Sequence, residues 1–302
     1  MTQRSRRIAL LAVRGLAPSI GLRFPYARTK TASMVRDALA EDGADNDING
    51  IATIVSDRRT RCSMVARQAG VIAGVALARE AFRERDPNAS VRAEVKDGQR
   101  VDAGTLVMFI TGHARGLLSA ERVALNYMQR LSGIATLTAE FVDAVKGTKA
   151  RILDTRKTTP GWRKLEKYAV RAGGGMNHRM DLSSAVLIKD NHLAALGGDV
   201  ALAVQRARAI APRNTPVEVE CDRVEQVLVA VEAGADVIML DNMTISGLRE
   251  SVGLIDGRAV SEASGGVTIK TVRSIAETGV DWISVGALTH SAKAMDLALD
   301  FE

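Results

Sequence analysis

Six short apolar, β-branched runs in the second half of the sequence each end on residues that could do chemistry. Arg151–Thr155 leads into Arg156-Lys157, and Ala185–Lys189 ends on Lys189 before Asp190-Asn191-His192. Val217–Cys221 carries Glu218 and Glu220, and Val237–Asp241 closes on Asp241-Asn242. Val260–Ser264 opens onto Gly265-Gly266, and Trp282–Gly286 ends in a glycine. Adjacent cations at 156 and 157 suit a carboxylate or a phosphate, since arginine grips either with parallel hydrogen bonds; a solvated loop is the other reading. Residues 151–192 hold nine Lys and Arg against four acids, a surplus better explained by a small polyanionic ligand than by a solvated face. Gly173-Gly174-Gly175 then delivers Asn177, His178 and Arg179 from a flexible turn, without Walker or Rossmann spacing.

The acids carry two readings. Glu218 and Glu220 share one strand face by parity, and with Asp241 they offer oxygen ligands for Mg²⁺ or a salt-bridge network with the basic set. Ser264-Gly265-Gly266, ahead of a helix expected near Thr268, and the Gly286–Ser291 turn offer backbone N–H groups to anions. There is no His/Cys cluster for zinc and no Ser-His-Asp arrangement.

These groups need a scaffold that brings strand ends to one rim. The runs recur with helical patterns between them (Arg223–Ala233, Ile245–Leu254, Thr268–Glu277), as in βα units with buried parallel strands. Gly234 and Gly279 read as helix stops. Six such units imply an incomplete TIM-like α/β barrel, whose ligands sit at the C-terminal strand ends. The first half reads as an α/β sandwich: strands at Ile51–Ser56, Ser63–Ala66, Val91–Val95, Gln99–Val101 and Thr105–Thr111, with helices at Val71–Arg83 and Ser119–Leu131, Ser119 as N-cap. Val95–Val101 is like half of a biotinyl or lipoyl carrier module without its lysine, so it is read as structural. The expected division is a basic extension over 1–25, a sandwich domain over 26–130, a barrel over 131–288, and a C-terminal helix over 289–302 packing back on the sandwich.

The 302 residues are 46% hydrophobic and 25% charged, ordinary usage for a folded chain. The net charge of +6 is not a nucleic-acid footprint: seven bases and no acid fall in residues 1–30, and the remainder is close to neutral. Cys62 and Cys221 lack metal or redox spacing and fit a reducing, cytoplasmic setting. The longest apolar runs, such as Ile8–Val13, fall far short of the roughly 18 residues that cross a bilayer.

Longer blocks resemble the quinolinate phosphoribosyltransferase family. They are Asp154–Gly161, Glu166–Val170, Gly173–Arg179, Leu187–His192, Leu240–Asn242, Glu262–Gly266 and Val285–Ser291, with Glu121-Arg122, Leu125-Asn126 and Leu131–Thr136 before them. The likeness runs in order from about residue 40 to the end. Two departures stand out: the early acidic Gly-Asp-x-Thr segment is replaced by Glu41–Asn49, and Val123 stands where a threonine usually follows Glu-Arg. Residues 1–30 have no counterpart. The resemblance implies transfer of phosphoribosyl from phosphoribosyl pyrophosphate to quinolinate, with loss of CO₂, in de novo NAD synthesis. It implies an irregular barrel and a homodimer, alone or assembled into a hexamer, that shares its active sites. Arg122 from the partner chain, with Arg156, His178, Arg179 and Lys189, would hold the quinolinate carboxylates, and Lys157 would reach phosphate or substrate. Glu218 and Asp241 would serve Mg²⁺ and the ribose hydroxyls, making Lys157, Lys189, Glu218 and Asp241 the catalytic set. Ser264, Gly265, Gly266, Gly286 and His290 would cradle the 5′-phosphate. The competing readings are a transferase of the same fold acting on nicotinate or another aromatic acid, a molybdenum-transport-associated homologue, and a non-catalytic carrier.

Overall fold

The computed structural model describes residues 22–302, so most of the expected basic extension lies outside the described residues. Two compact units are present. One comprises residues 21–139, 164–174 and 292–302, the other residues 140–163 and 175–291.

In the first unit, strands β1 (Arg59–Ala66), β3 (Ser90–Ala93) and β5 (Leu106–His113) form an antiparallel sheet with the C-terminal strand Leu297–Phe301, while β2 (Gly70–Val71) pairs with β4 (Arg100–Val101). β1 alternates as a half-buried strand should, with Cys62, Met64 and Ala66 inward. Helix Arg28–Glu41 packs on helix Val75–Arg85. Leu117, Ala120, Ala124, Met128, Leu131 and Ala135, spaced by three or four, bury one stripe of a 31-residue helix, Ala114–Ala144.

Four local expectations are corrected here. Ser291–Phe301 is not a helix: Leu297–Phe301 pairs with β1 in five register positions, from Cys62↔Phe301 to Ala66↔Leu297. An open sheet edge outweighs the helix preference of Ala, Met and Leu. Ile51–Ser56, β-branched and strand-like, is instead part of helix Ile48–Thr53, whose last carbonyls accept from the Arg115 guanidinium (Nε to Ile54 O, 2.8 Å). Ser119 lies inside the long helix rather than at its cap, its hydroxyl donating to Gly116 O and accepting from Arg85 Nε. Finally, the helix Arg163–Ala172 sits largely in this unit, not in the barrel. Gly173 passes so close to the long helix that a Cβ would lie 2.3 Å from Ala135 O, the Tyr168 hydroxyl donates to Asp97 at 2.5 Å, and Arg130 pairs with the buried Glu166 at 2.8 Å.

The second unit is built on six parallel strands: β6 (Arg151–Leu153), β7 (Val186–Ile188), β8 (Val217–Cys221), β9 (Val237–Asp241), β10 (Val260–Ser264) and β11 (Trp282–Ser284). Their order, β6-β11-β10-β9-β8-β7, leaves β6 and β7 as unclosed edges, an incomplete barrel. Near-continuous burial along β8 to β11 matches strands covered on both faces. Helices Val224–Glu232 and Ile245–Ile255 return between strands; Gly234 (φ +85°) follows the first of them and Gly279 (φ +87°) follows the short helix Val272–Ala276, both in the left-handed region. Beyond β6 the chain adds one more partner: Met176 bridges Leu153 in parallel, with Met176 N donating to Ile152 O at 2.8 Å. That bridge carries His178 and Arg179 to the rim. No helix among the described residues is long and apolar enough to cross a membrane.

Candidate functional site

A cavity of about 750 Å³ opens at the C-terminal ends of these strands. Eleven of the thirteen residues expected from sequence line it: Arg156, Lys157, His178, Arg179, Lys189, Asp241, Ser264, Gly265, Gly266, Gly286 and His290. Leu187, Met239 and Val285 give it an apolar wall.

The cationic side is crowded and under-satisfied. Arg179 is buried and donates Nη1 to Ala185 O at 2.9 Å, and its Nε has no hydrogen-bond partner. The Nε of Arg156, also buried, is likewise without one. Burial first, then the neighbouring Arg156 charge, pulls the Arg179 guanidinium below its ordinary value. Buried donors without acceptors are costly in a ligand-free fold. Two of them on adjacent cations mark a place made for a carboxylate or phosphate. Lys157 and Lys189 add charge at the same rim, Lys189 at 3.2 Å from Glu220.

Asp154, wholly buried, sets the His178 turn. Its carboxylate accepts from Asn177 Nδ2 at 2.6 Å and from His178 N at 2.8 Å. Both ring nitrogens of His178 are engaged. Nδ1 accepts the Arg179 backbone N–H at 2.8 Å, which places the proton on Nε2, 3.1 Å from Glu218 and 3.7 Å from Glu262. Ligand atoms of His178, Glu218 and Glu262 lie within 4.8 Å of one another. That tautomer leaves no lone pair on Nε2 for a metal ion. Glu262 is fully buried, both its oxygens lack hydrogen-bond partners, and burial, then Glu218, pushes its carboxyl well above the usual range.

One expectation is corrected by these placements. Glu218, expected to meet Mg²⁺ and ribose, is 4% exposed, faces His178 and does not line the cavity. Glu220, two residues nearer the strand end on the same face, lines it instead. Burial raises the Glu220 carboxyl, the Lys189 ammonium opposes that, and Asp241 and Asp190 add to it. Arg122 is exposed on the long helix and is not among the lining residues; its expected role was to act from a partner chain.

The glycine turns are shaped by their neighbours. Gly265 and Gly266 have φ of +88° and +58°, and a Cβ on Gly265 would fall 2.2 Å from Asn242 Oδ1. A Cβ on Gly286 would approach Lys157 Cδ and His290 Nε2 at 3.1 Å each. The helix expected near Thr268 is the short Val272–Ala276, so the Ser264–Gly266 turn presents backbone N–H groups rather than a helix end. Thr155 and Asn242, which sit at the strand ends read from sequence but were given no role there, also line the cavity, as does Thr268.

The family model for the quinolinate phosphoribosyl transferase C-terminal domain matches residues 134–300, and that for the N-terminal domain matches residues 47–132. The chain is 43% identical to the probable nicotinate-nucleotide pyrophosphorylase (carboxylating) of Bacillus subtilis strain 168, over 86% of this chain and 89% of that protein. It is 41% identical to the chloroplastic nicotinate-nucleotide pyrophosphorylase (carboxylating) of Oryza sativa subsp. japonica, over 99% and 86%. The solved structure of nicotinate-nucleotide pyrophosphorylase from Francisella tularensis superposes with a TM-score of 0.87 at 37% identity, covering 94% of this chain and 100% of that one.

Proposed function

The chain belongs to the quinolinate phosphoribosyltransferase family, decarboxylating pentosyltransferases of NAD biosynthesis, and from that premise we propose how its cavity divides the work. Arg156 and Arg179 hold the two carboxylates of quinolinate, their unpartnered Nε atoms being the observation that carries this assignment. Lys189 and Lys157 stand at the same rim, where they neutralise substrate and leaving-group charge. The Ser264–Gly266 turn and the Gly286–His290 turn receive the 5′-phosphate of phosphoribosyl pyrophosphate. His178, with both ring nitrogens committed, orients Arg179 rather than gripping substrate itself.

Holding the ring against the apolar wall aligns its nitrogen with the ribose C1, which removes orientational entropy from the attack. The C1–O bond breaks, the electron pair leaves with pyrophosphate, and preorganised cations meet that charge without reorganising. Once quaternised, the ring nitrogen stabilises the pair left on the adjacent carbon as CO₂ departs, and a proton then takes the carboxylate's place on that carbon.

Mg²⁺ fits the donor set as a hard cation for oxygen ligands. Glu220 and Asp241 face the cavity, and the Asp241 charge adds to the cost of ionising Glu220. These two, rather than Glu218, would hold it, and when bound it neutralises pyrophosphate. We further propose a homodimer in which Arg122 reaches the partner's cavity, and a cytoplasmic setting consistent with two free, buried cysteines.

The test is release of CO₂ and pyrophosphate from phosphoribosyl pyrophosphate with quinolinate or with nicotinate. Equal amounts of both products from quinolinate alone support the reading. Pyrophosphate without CO₂ from nicotinate, or no product from either, overturns it.

A further inference from the structure

We propose that Asn242 is a positioning residue that ties the Asp241 carboxylate to the Gly265–Gly266 turn, so that the ribose and 5′-phosphate ends of the substrate are read by one rigid unit. This rests on the 5′-phosphate placement given above and on the expectation from the resemblance that Asp241 serves the ribose hydroxyls. Asn242 is one of three non-glycine residues with positive φ among the described residues, at +54°, and of those three it is the one that lines the cavity. Asparagine tolerates the left-handed region better than most residues, but such a backbone persists only where the surroundings enforce it.

Three contacts enforce it. Asn242 Nδ2 donates to Asp241 Oδ2 at 2.7 Å. Its backbone N–H donates to Ser264 O at 2.9 Å. Its amide sits where a Cβ on residue 265 would be, 2.2 Å from Oδ1 and 2.4 Å from Cγ, and Gly265 itself is left-handed at +88°. One side chain thus aims the acid that closes β9 and fills the space opened by the glycine that follows β10. Ser264 and Asp241 are register partners on those strands, so a shift at the turn reaches Asp241 through Asn242 and the ladder together.

The experiment uses ribose 5-phosphate as probe, which carries the sugar hydroxyls and the phosphate but no pyrophosphate and calls for no metal. Its binding is measured by calorimetry in metal-free buffer on wild type, Asn242→Gly and Asn242→Asp. Glycine accepts the backbone without strain, so that variant folds; aspartate keeps the shape, removes the donor and sets a second carboxylate beside Asp241. A charge-assisted hydrogen bond lost from the site weakens the probe roughly tenfold or more. The KM for phosphoribosyl pyrophosphate rises in parallel, while the KM for quinolinate stays within about twofold in both variants. Probe affinity unchanged in both variants overturns the proposal, and so does an equal loss for ribose 5-phosphate and quinolinate, which would mark a merely structural role. A wild type that does not bind ribose 5-phosphate at all overturns the phosphoribosyl placement and the proposal with it.

Discussion

Arg179→Lys separates charge from geometry in the carboxylate site. Arg179 Nη1 is committed to Ala185 O at 2.9 Å, while Nε has no partner, so the native side chain holds its own loop and still has a donor for substrate. Lysine keeps the positive charge but brings a single ammonium on a flexible stem. It can satisfy the Ala185 carbonyl or the substrate carboxylate, not both in the fork geometry. The loss is one charge-assisted hydrogen bond, about 1.5–3 kcal/mol, or roughly 10- to 150-fold in kcat/KM for quinolinate. Because the net charge of the rim is unchanged, the KM for phosphoribosyl pyrophosphate moves little. Thermal shift gives an independent reading: at a fixed quinolinate concentration about 100 times the wild-type Kd, ligand stabilises by about 2.7 kcal/mol, and the variant loses about half of that if its site is tenfold weaker and about nine-tenths if it is 150-fold weaker. Steady-state pyrophosphate release with each substrate varied in turn decides the matter. A variant within threefold of wild type for quinolinate refutes the reasoning, as does an equal rise in both KM values.

Glu262→Gln is expected to gain stability over wild type as pH rises. An acid whose folded value lies above its unfolded 4.5 contributes most below that pH and progressively less up to the folded value. Glutamine does not titrate, so urea unfolding at several pH values should show a difference that widens by up to about 1.4 kcal/mol for each pH unit climbed between the two values; a flat difference would sink the claim. Glu220→Gln should raise the Mg²⁺ concentration needed for half-maximal rate, whereas Glu218→Gln should disturb the His178 turn and leave that requirement unchanged; identical metal titrations for the two would reverse the assignment. Gly173→Ala drives a methyl to 2.3 Å from a backbone oxygen on the long helix, which overpacking places at about 1–3 kcal/mol of destabilisation; an unaltered denaturation midpoint would show that the helix yields.

Where a residue's chemistry depends on strand ends, the sequence was informative, because β8 to β11 are short, buried and β-branched, and parallel strands put their C-terminal residues on one rim. The acids of β8 show the limit of that logic. Parity puts Glu218 and Glu220 on the same face but says nothing of depth. Two residues along a strand are about 6–7 Å, enough to separate a carboxylate buried against His178 from one that lines the cavity. The choice is made by the histidine turn after Gly175, which is added to the sheet by a single bridge at Met176 and has no strand signature of its own. The C-terminal segment failed for the same kind of reason. Ala298 and Leu299 are good helix formers, and only the unpaired edge of β1, more than 200 residues away in sequence, makes them a strand. In both places the deciding partner is remote in sequence. So types and spacing named the chemistry here, and long-range pairing decided which of two like residues performs it.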